Sequence, residues 1–281
     1  MSTFTEPFYA SSGDPFWVGL VDDAATFPPG DAPLDAALTA YADRAGPAAR
    51  LVRSLVVRDT DLPQVPAGTP VSVVLTGGAG QVHGPAQLCQ RRGLPVAGLE
   101  IALRDVDDPA GNARRVVAAV DAARGEGVLD EDTPVFVELP AVDPAYSWLA
   151  AADEVAAAEL RLKLRTGGLD PDAFPTPERL AAWIDAALDR ELPFKCTAGL
   201  HRALPHVDAD GCAHHGFLTL LAATRVAFDG GSPDDVVATL RRDDATDLLA
   251  LDLAGARRWF TSFGSCSIDE PLADLRELVS L

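Results

Sequence analysis

Of the 23 basic residues in this 281-residue chain, 21 are arginine and only Lys163 and Lys195 are lysine. Arginine suits a generic surface cation or a bidentate ion pair. Lysine is needed where an amine must give up its proton, as nucleophile or base. Both lysines fall in short apolar runs, and so do two glutamates. Residues 98–103 hold Glu100, 134–139 hold Glu138, 160–166 hold Lys163 and 193–200 hold Lys195. Side chains alternate along a strand. In the first of these runs Glu100 and Arg104 share one face and Ile101 and Leu103 the other. Glu138 opposes Val135 and Val137; Arg161, Lys163 and Arg165 oppose Leu162 and Leu164; Lys195 shares its face with Thr197. Strands covered on both faces normally read as continuous apolar runs, and an unpaired buried ion costs several kcal/mol. Four neighbouring inward charges, in the order Glu100, Glu138, Lys163, Lys195, therefore mark a site, or else a structural ion-pair cluster. Lys195 and Arg165 beside Lys163 predict an amine pKa lowered by like-charge repulsion.

These residues need a scaffold. Eight apolar runs alternate with helical patterns: 16–21, 51–57, 71–75, 98–103, 134–139, 160–166, 193–200 and a weaker 258–264. Helices are expected near 33–45, 84–92, 110–124, 146–158 and 214–255, and after the Thr176-Pro177 cap pair. Ser267 with Glu270 reads as a capping box for a last helix. Alternating strands and helices predict an α/β fold, a (β/α)8 TIM barrel in a single domain over 1–281. The link 58–70 has three prolines and no helical pattern, so the barrel is expected to be irregular between its second and third strands.

The totals exclude several function classes. A net charge of −19 repels phosphate backbones and anionic membrane surfaces, so no nucleic-acid partner and no membrane partner is expected. No apolar stretch approaches the roughly 18 residues of a membrane helix. Residues 1–14 lack a basic-then-apolar secretory pattern. Cys89, Cys196, Cys212 and Cys266 are far apart with no CxxC, which fits reduced thiols in a cytoplasmic protein. The partner expected is a small-molecule substrate; the oligomeric state stays open, a homo-oligomer included.

Other residues could join the site from the loops at the carboxyl ends of the strands. Four of the five histidines fall between His201 and His215. A substrate-binding or proton-transfer loop using His201 and His215 is the preferred reading. A zinc site is the alternative, although the spacing matches neither HxH nor HExxH. Gly264 and Ser265 precede the last helix, where barrels often bind an anionic group. Cys266 next to them has no His partner assignable in sequence. Asp22-Asp23 ends the first run, as a metal ligand or base or as a solvated turn. The 76–80 Thr-Gly-Gly-Ala-Gly stretch lacks a P-loop lysine and reads as a tight turn.

An acidic residue on the fourth strand, a lysine on the sixth, a second on the seventh and a Gly/Ser turn after the eighth resembles the class I aldolases of the deoxyribose-phosphate aldolase type. The resemblance is positional and covers residues 98–267. It implies Lys163 as the Schiff-base nucleophile, Lys195 as its perturbing partner and Glu100 as acid/base. The sixth strand continues Leu-Arg-Thr-Gly-Gly, where that family has Lys-Thr-Ser-Thr-Gly, and Glu138 has no counterpart there. Segments 194–201 and 263–267 are also similar to bacterial proteins of unassigned activity.

The expectation is then a lyase, aldolase-like enzyme or isomerase acting on a small anionic oxygenated substrate. Lys163, Lys195, Glu100 and Glu138 would be catalytic. Arg165, Thr197, His201, His215, Gly264 and Ser265 would bind the substrate. No cofactor is required, because an imine is its own electron sink. The alternatives are a metal-dependent barrel using Asp22, Glu100, Glu138 or the histidine loop, and a non-catalytic anion-binding barrel.

Overall fold

Eight parallel strands close into a barrel in a computed structural model that describes residues 15–209 and 211–279. The segment 1–14, expected to carry no secretory signal, lies outside the described residues. In chain order the elements are β1 (Val21–Asp23), α1 (Leu34–Ala42), α2 (Gly46–Leu51), β2 (Val52–Arg58), β3 (Val71–Val74), α3 (His83–Arg92) and β4 (Val96–Ala102). Next come α4 (Pro109–Gly125), β5 (Val135–Glu138), α5 (Tyr146–Ala157), β6 (Arg161–Arg165), α6 (Pro177–Leu188) and β7 (Phe194–Thr197). A hairpin of β8 (His206–Val207) and β9 (Ala213–His214) precedes α7 (Phe217–Phe228), α8 (Pro233–Leu240), α9 (Ala245–Leu249) and α10 (Ala256–Trp259). β10 (Phe260–Ser265) is the eighth barrel strand and α11 (Asp269–Val279) follows it. Each of β2 to β7 pairs with its sequence neighbour, and β10 closes the ring between β7 and β1. This is the expected (β/α)8 architecture.

The outward strand residues make the core. Leu99, Ile101, Val135, Val137, Leu162, Leu164, Phe194 and Cys196 are all buried under the helices. Each aliphatic side chain so buried contributes about 1.5–3 kcal/mol, which offsets the cost of filling the barrel interior with charge. α6 begins as its sequence predicts, with the Thr176 hydroxyl accepting from the Arg179 amide at 3.3 Å and Pro177 in the first turn.

Three local expectations are corrected and one is borne out. Residues 16–20 are apolar but not a strand: Pro15–Trp17 is a 3-10 turn and Gly19 sits at φ +62, so pairing starts only at Val21. The link after β2 is irregular as expected: it holds a short 3-10 helix, Asp59–Gln64, where the other strand connections hold an α-helix, and Pro63 removes a backbone donor there. The 214–255 region is three α-helices, since Gly230-Gly231 and the Ser232-Pro233 capping box end one and start the next. The capping box at Ser267 is half formed: its hydroxyl accepts from the Glu270 amide at 3.4 Å, while the Glu270 carboxylate turns to His201.

Candidate active site

Strand register brings the four charges together. β5 aligns Glu138 with Lys163 of β6, and β6 aligns Lys163 with Lys195 of β7. Glu100 enters from β4, beside Phe136. Lys163 Nζ lies 2.8 Å from Glu100 Oε2 and 2.9 Å from Glu138 Oε2. Lys195 Nζ lies 2.5 Å from Glu100 Oε1 and 2.6 Å from Asp22 Oδ2. Arg165 Nε donates to Glu138 Oε1 at 2.8 Å. The chain of contacts thus runs Asp22, Lys195, Glu100, Lys163, Glu138, Arg165.

Asp22 is buried and not in a solvated turn. Its Oδ1 accepts from Arg53 Nε at 2.9 Å and from the Ser54 hydroxyl at 2.7 Å; its Oδ2 accepts from Ser262 at 2.8 Å as well as from Lys195. Ser54 in turn meets Ser72 at 2.8 Å. Sequence parity extended to the second and third runs would have found Ser54 and Ser72. Arg53 was hidden by a register irregularity: Val21 pairs with Val52 and Asp22 with Ser54, so Arg53 is the extra residue, and its side chain reaches Asp22. Below the charges, the Phe136 ring is flanked by Lys195 Nζ and the guanidinium groups of Arg53 and Arg161, at 5.4, 5.7 and 5.8 Å from its centroid. Gly98 leaves room for that ring: a Cβ there would lie 2.9 Å from it.

The ion pairs overturn the expectation of a depressed lysine pKa. Burial alone would lower Lys163, but Glu100 and Glu138 outweigh it and hold the amine above its ordinary value. Burial would likewise raise the carboxylates. Lys163 and Lys195 outweigh it at Glu100, which falls to about 2. Lys195 and Arg53 do so at Asp22, and Lys163 and Arg165 at Glu138, both of which are held below the usual carboxylate range. Like-charge repulsion between the lysines is offset by Glu100, which pairs with both, and by Asp22 and Glu138 beyond them, so the resting site is a string of ammonium–carboxylate pairs.

A cavity of about 320 Å³ opens above this string. Lys163, Lys195, Glu100, Glu138, Arg165 and Thr197 line it, and Val56, Val74, Ala102 and Phe27 supply its apolar walls. His201, Gly264 and exposed Arg104 lie on the same cavity. Four cations (Arg53, Lys163, Arg165, Lys195) face three carboxylates (Asp22, Glu100, Glu138) in the connected network, so one positive charge is left over. Arg104 adds another at the rim. Such a mouth favours an anionic guest. The same balance does not fit a divalent cation: every oxygen of the three carboxylates already meets an ammonium, a guanidinium or both.

The remaining expected residues divide. Ser265 does not line the cavity: its hydroxyl donates to the Ser267 carbonyl at 2.6 Å and meets His201 Nδ1 at 3.1 Å, so it positions His201. Cys266 does line the cavity, and His201 Nε2 is 3.8 Å from its Sγ, supplying the His partner that sequence could not assign. Burial raises the thiol pKa and lowers that of His201, so the pair stays a neutral thiol and imidazole. His215 is turned away. Its Nε2 meets the Pro175 carbonyl at 2.8 Å, and it lines a separate surface cavity behind the loop. In the 76–80 turn, the Thr76 amide and hydroxyl are taken by Asp59 at 3.2 and 2.7 Å, which leaves no anion cradle at that residue.

No helix among the described residues is long and apolar enough to cross a membrane. No family model matches the chain, and no curated protein matches it at a significant level.

Proposed function

We propose that the protein is a lyase or isomerase that acts through Lys163 on a small, anionic, oxygenated substrate. The observation that carries this reading is the position of Lys163: its ammonium sits on the floor of the cavity between two carboxylates. An ammonium has three N–H donors. Glu100 and Glu138 take two, which leaves the third for a ligand oxygen in the cavity that Lys163 lines. Arg165 and Arg104 then bind the anionic group, and Thr197 and His201 add polar contacts.

Two uses of this arrangement follow. As an acid, Lys163 steadies the oxyanion that forms when a proton leaves the carbon next to a carbonyl, and Glu138, the less buried of its partners, accepts that proton. As a nucleophile, Lys163 first passes a proton to Glu138 or Glu100. The free amine adds to the carbonyl carbon, and the carbinolamine takes the proton back and expels water to leave a protonated imine. The ion pairs make the first step the resting chemistry and put the proton transfer ahead of the second. The positional resemblance to Schiff-base aldolases favours the second, and the separated cysteines suit a cytoplasmic enzyme of this kind.

The experiment is solvent-deuterium incorporation into a panel of small phosphorylated or carboxylated aldehydes, ketones and hydroxy acids. Incorporation is expected with the wild type, and a loss of about 100-fold or more in Glu138→Gln and Lys163→Met. Thermal stabilisation by these anions with no exchange and no turnover would overturn the enzyme reading in favour of a non-catalytic anion-binding barrel.

A further inference from the structure

The histidine-rich segment after β7 carries a feature that the lysine site does not use. β8 and β9 pair antiparallel, with His206 opposite His214 and Val207 opposite Ala213. Directly opposed residues on an antiparallel pair share a face and stand close together. The two imidazoles accordingly stack with centroids 4.9 Å apart. Asp208, two residues past His206, returns to the same face. His206 Nε2 lies 3.4 Å from Asp208 Oδ1, His214 Nε2 lies 3.0 Å from Asp208 Oδ2, and one ligand atom from each residue fits within 4.8 Å of the others.

The tautomers are set from behind. His206 Nδ1 is 3.3 Å from the Leu204 carbonyl and His214 Nδ1 is 3.0 Å from the Gly199 carbonyl. A carbonyl only accepts, so both Nδ1 atoms carry a hydrogen, and in the neutral imidazoles that a metal ion binds both Nε2 atoms present a lone pair toward Asp208. Lone pairs do not bond to a carboxylate. His214 is 8% exposed, and its Nε2, despite the 3.0 Å approach, has no hydrogen-bond partner among the described residues. A buried polar atom left so is costly, and a cation between the three groups satisfies all of them. The backbone carbonyls behind the rings are the outer partners that metal-ligating histidines use.

We propose that His206, Asp208 and His214 form a binding site for a zinc-type divalent ion. Zinc holds nitrogen and oxygen ligands at about 2.0–2.2 Å, which at the tetrahedral angle puts them about 3.3–3.5 Å apart. The two approaches to Asp208, 3.4 and 3.0 Å, lie at or just under this separation, and with all three ligand atoms within 4.8 Å of one another an ion would draw them together. Two imidazoles and one carboxylate select zinc over calcium or magnesium, which prefer all-oxygen shells. Three protein ligands are the number found in zinc sites that keep a position open. The three residues line a cavity of about 620 Å³ that shares His201, Gly199, Leu169 and Cys266 with the lysine cavity. The open position would then take an anion or water at the entrance to that site, without any role for Lys163.

The test uses the full chain stripped with a chelator and titrated with zinc chloride. Stoichiometric, micromolar-or-tighter binding is expected by calorimetry, with a rise in Tm. Cobalt in place of zinc should give the visible spectrum of nitrogen and oxygen ligation. His206→Gln and Asp208→Asn should each weaken zinc at least about 100-fold, and both sit on an exposed hairpin, so the fold should survive if His214→Gln does not. His83→Gln, at the exposed His83–Glu126 pair, should change nothing. Absence of stoichiometric binding, or zinc affinity unchanged in His206→Gln and Asp208→Asn, would overturn the site.

Discussion

The barrel mouth and the β8–β9 hairpin gather similar residue types and satisfy them differently. In the mouth, both oxygens of Asp22, Glu100 and Glu138 meet a cation supplied by another strand. In the hairpin, the two imidazole Nε2 atoms and the Asp208 carboxylate converge, and the His214 nitrogen is buried without a hydrogen-bond partner among the described residues. The first is complete without a guest and offers it a spare N–H; the second is complete only with one. A saturated network is preorganised for charge stabilisation, whereas an unsaturated cluster marks a missing ion. The difference also separates costs. Removing one cation from the mouth leaves buried carboxylates with unbalanced charge, while His206 of the hairpin is partly exposed and Asp208 exposed, so removing either strands no buried charge.

The largest effect should come from the most enclosed charge. Lys195 is 1% exposed, and Lys195→Met leaves Asp22 and Glu100 without their shared cation. A loss of about 3–5 kcal/mol is expected in urea unfolding. A loss within about 0.5 kcal/mol, the range of an ordinary surface change, would break the contrast.

Next comes the pH response of the mouth. Glu100 falls from 4.5 to about 2, with Asp22 and Glu138 also lowered. The stability they contribute is therefore complete above their ordinary pKa values and is lost as pH falls from 4.5 toward about 2. Lys163 is raised, so its contribution is present below its ordinary 10.5 and is lost only at higher pH. Unfolding midpoints followed down from neutral pH should drop in that acid window. A flat profile there would contradict charge matching in the mouth.

A smaller effect tests the layer beneath. Gly98→Ala puts a methyl 2.9 Å from the Phe136 ring that supports Lys195, and should cost about 1–3 kcal/mol. Thermal melts that show no change would mean the ring has room to move. The smallest effect belongs to the hairpin. In metal-free protein, His206→Gln should alter stability by no more than about 0.5 kcal/mol, because His206 is partly exposed. A loss like that of Lys195→Met would erase the distinction between the regions.

Strand parity explains what was legible. Runs with Glu100, Glu138, Lys163 and Lys195 each alternate charged with branched residues, and a closed barrel leaves only one interior for the charged face, so four site residues followed from local pattern. The buried role of Asp22 did not. Its partners Lys195 and Arg53 lie 173 and 31 residues away, and at the end of an apolar run two aspartates look like a turn. The expected fall in the Lys163 pKa fails for a related reason: parity says which face the charges share, while only the folded side chains show Glu100 bridging two lysines that are direct register partners, with Glu138 on the far side of Lys163. In the histidine segment the strands are two residues long, too short for periodicity, so His201 and His215 were grouped by proximity. Backbone alternation puts His214 and His215 on opposite sides, and only His214 faces His206 and Asp208.

On the proposed function, Lys163 is the amine that meets the substrate, with Lys195 locked beneath it. Borohydride reduction of the protein with a panel of small aldehydes and ketones, followed by peptide mapping, tests this most directly. Lys163 lines the cavity with its side chain 7% exposed, against 1% for Lys195. The predicted result is a reduced adduct on Lys163 that disappears in Lys163→Met. An adduct on Lys195 alone would contradict it, and no adduct with any carbonyl would exclude the imine and leave Lys163 only its use as an acid.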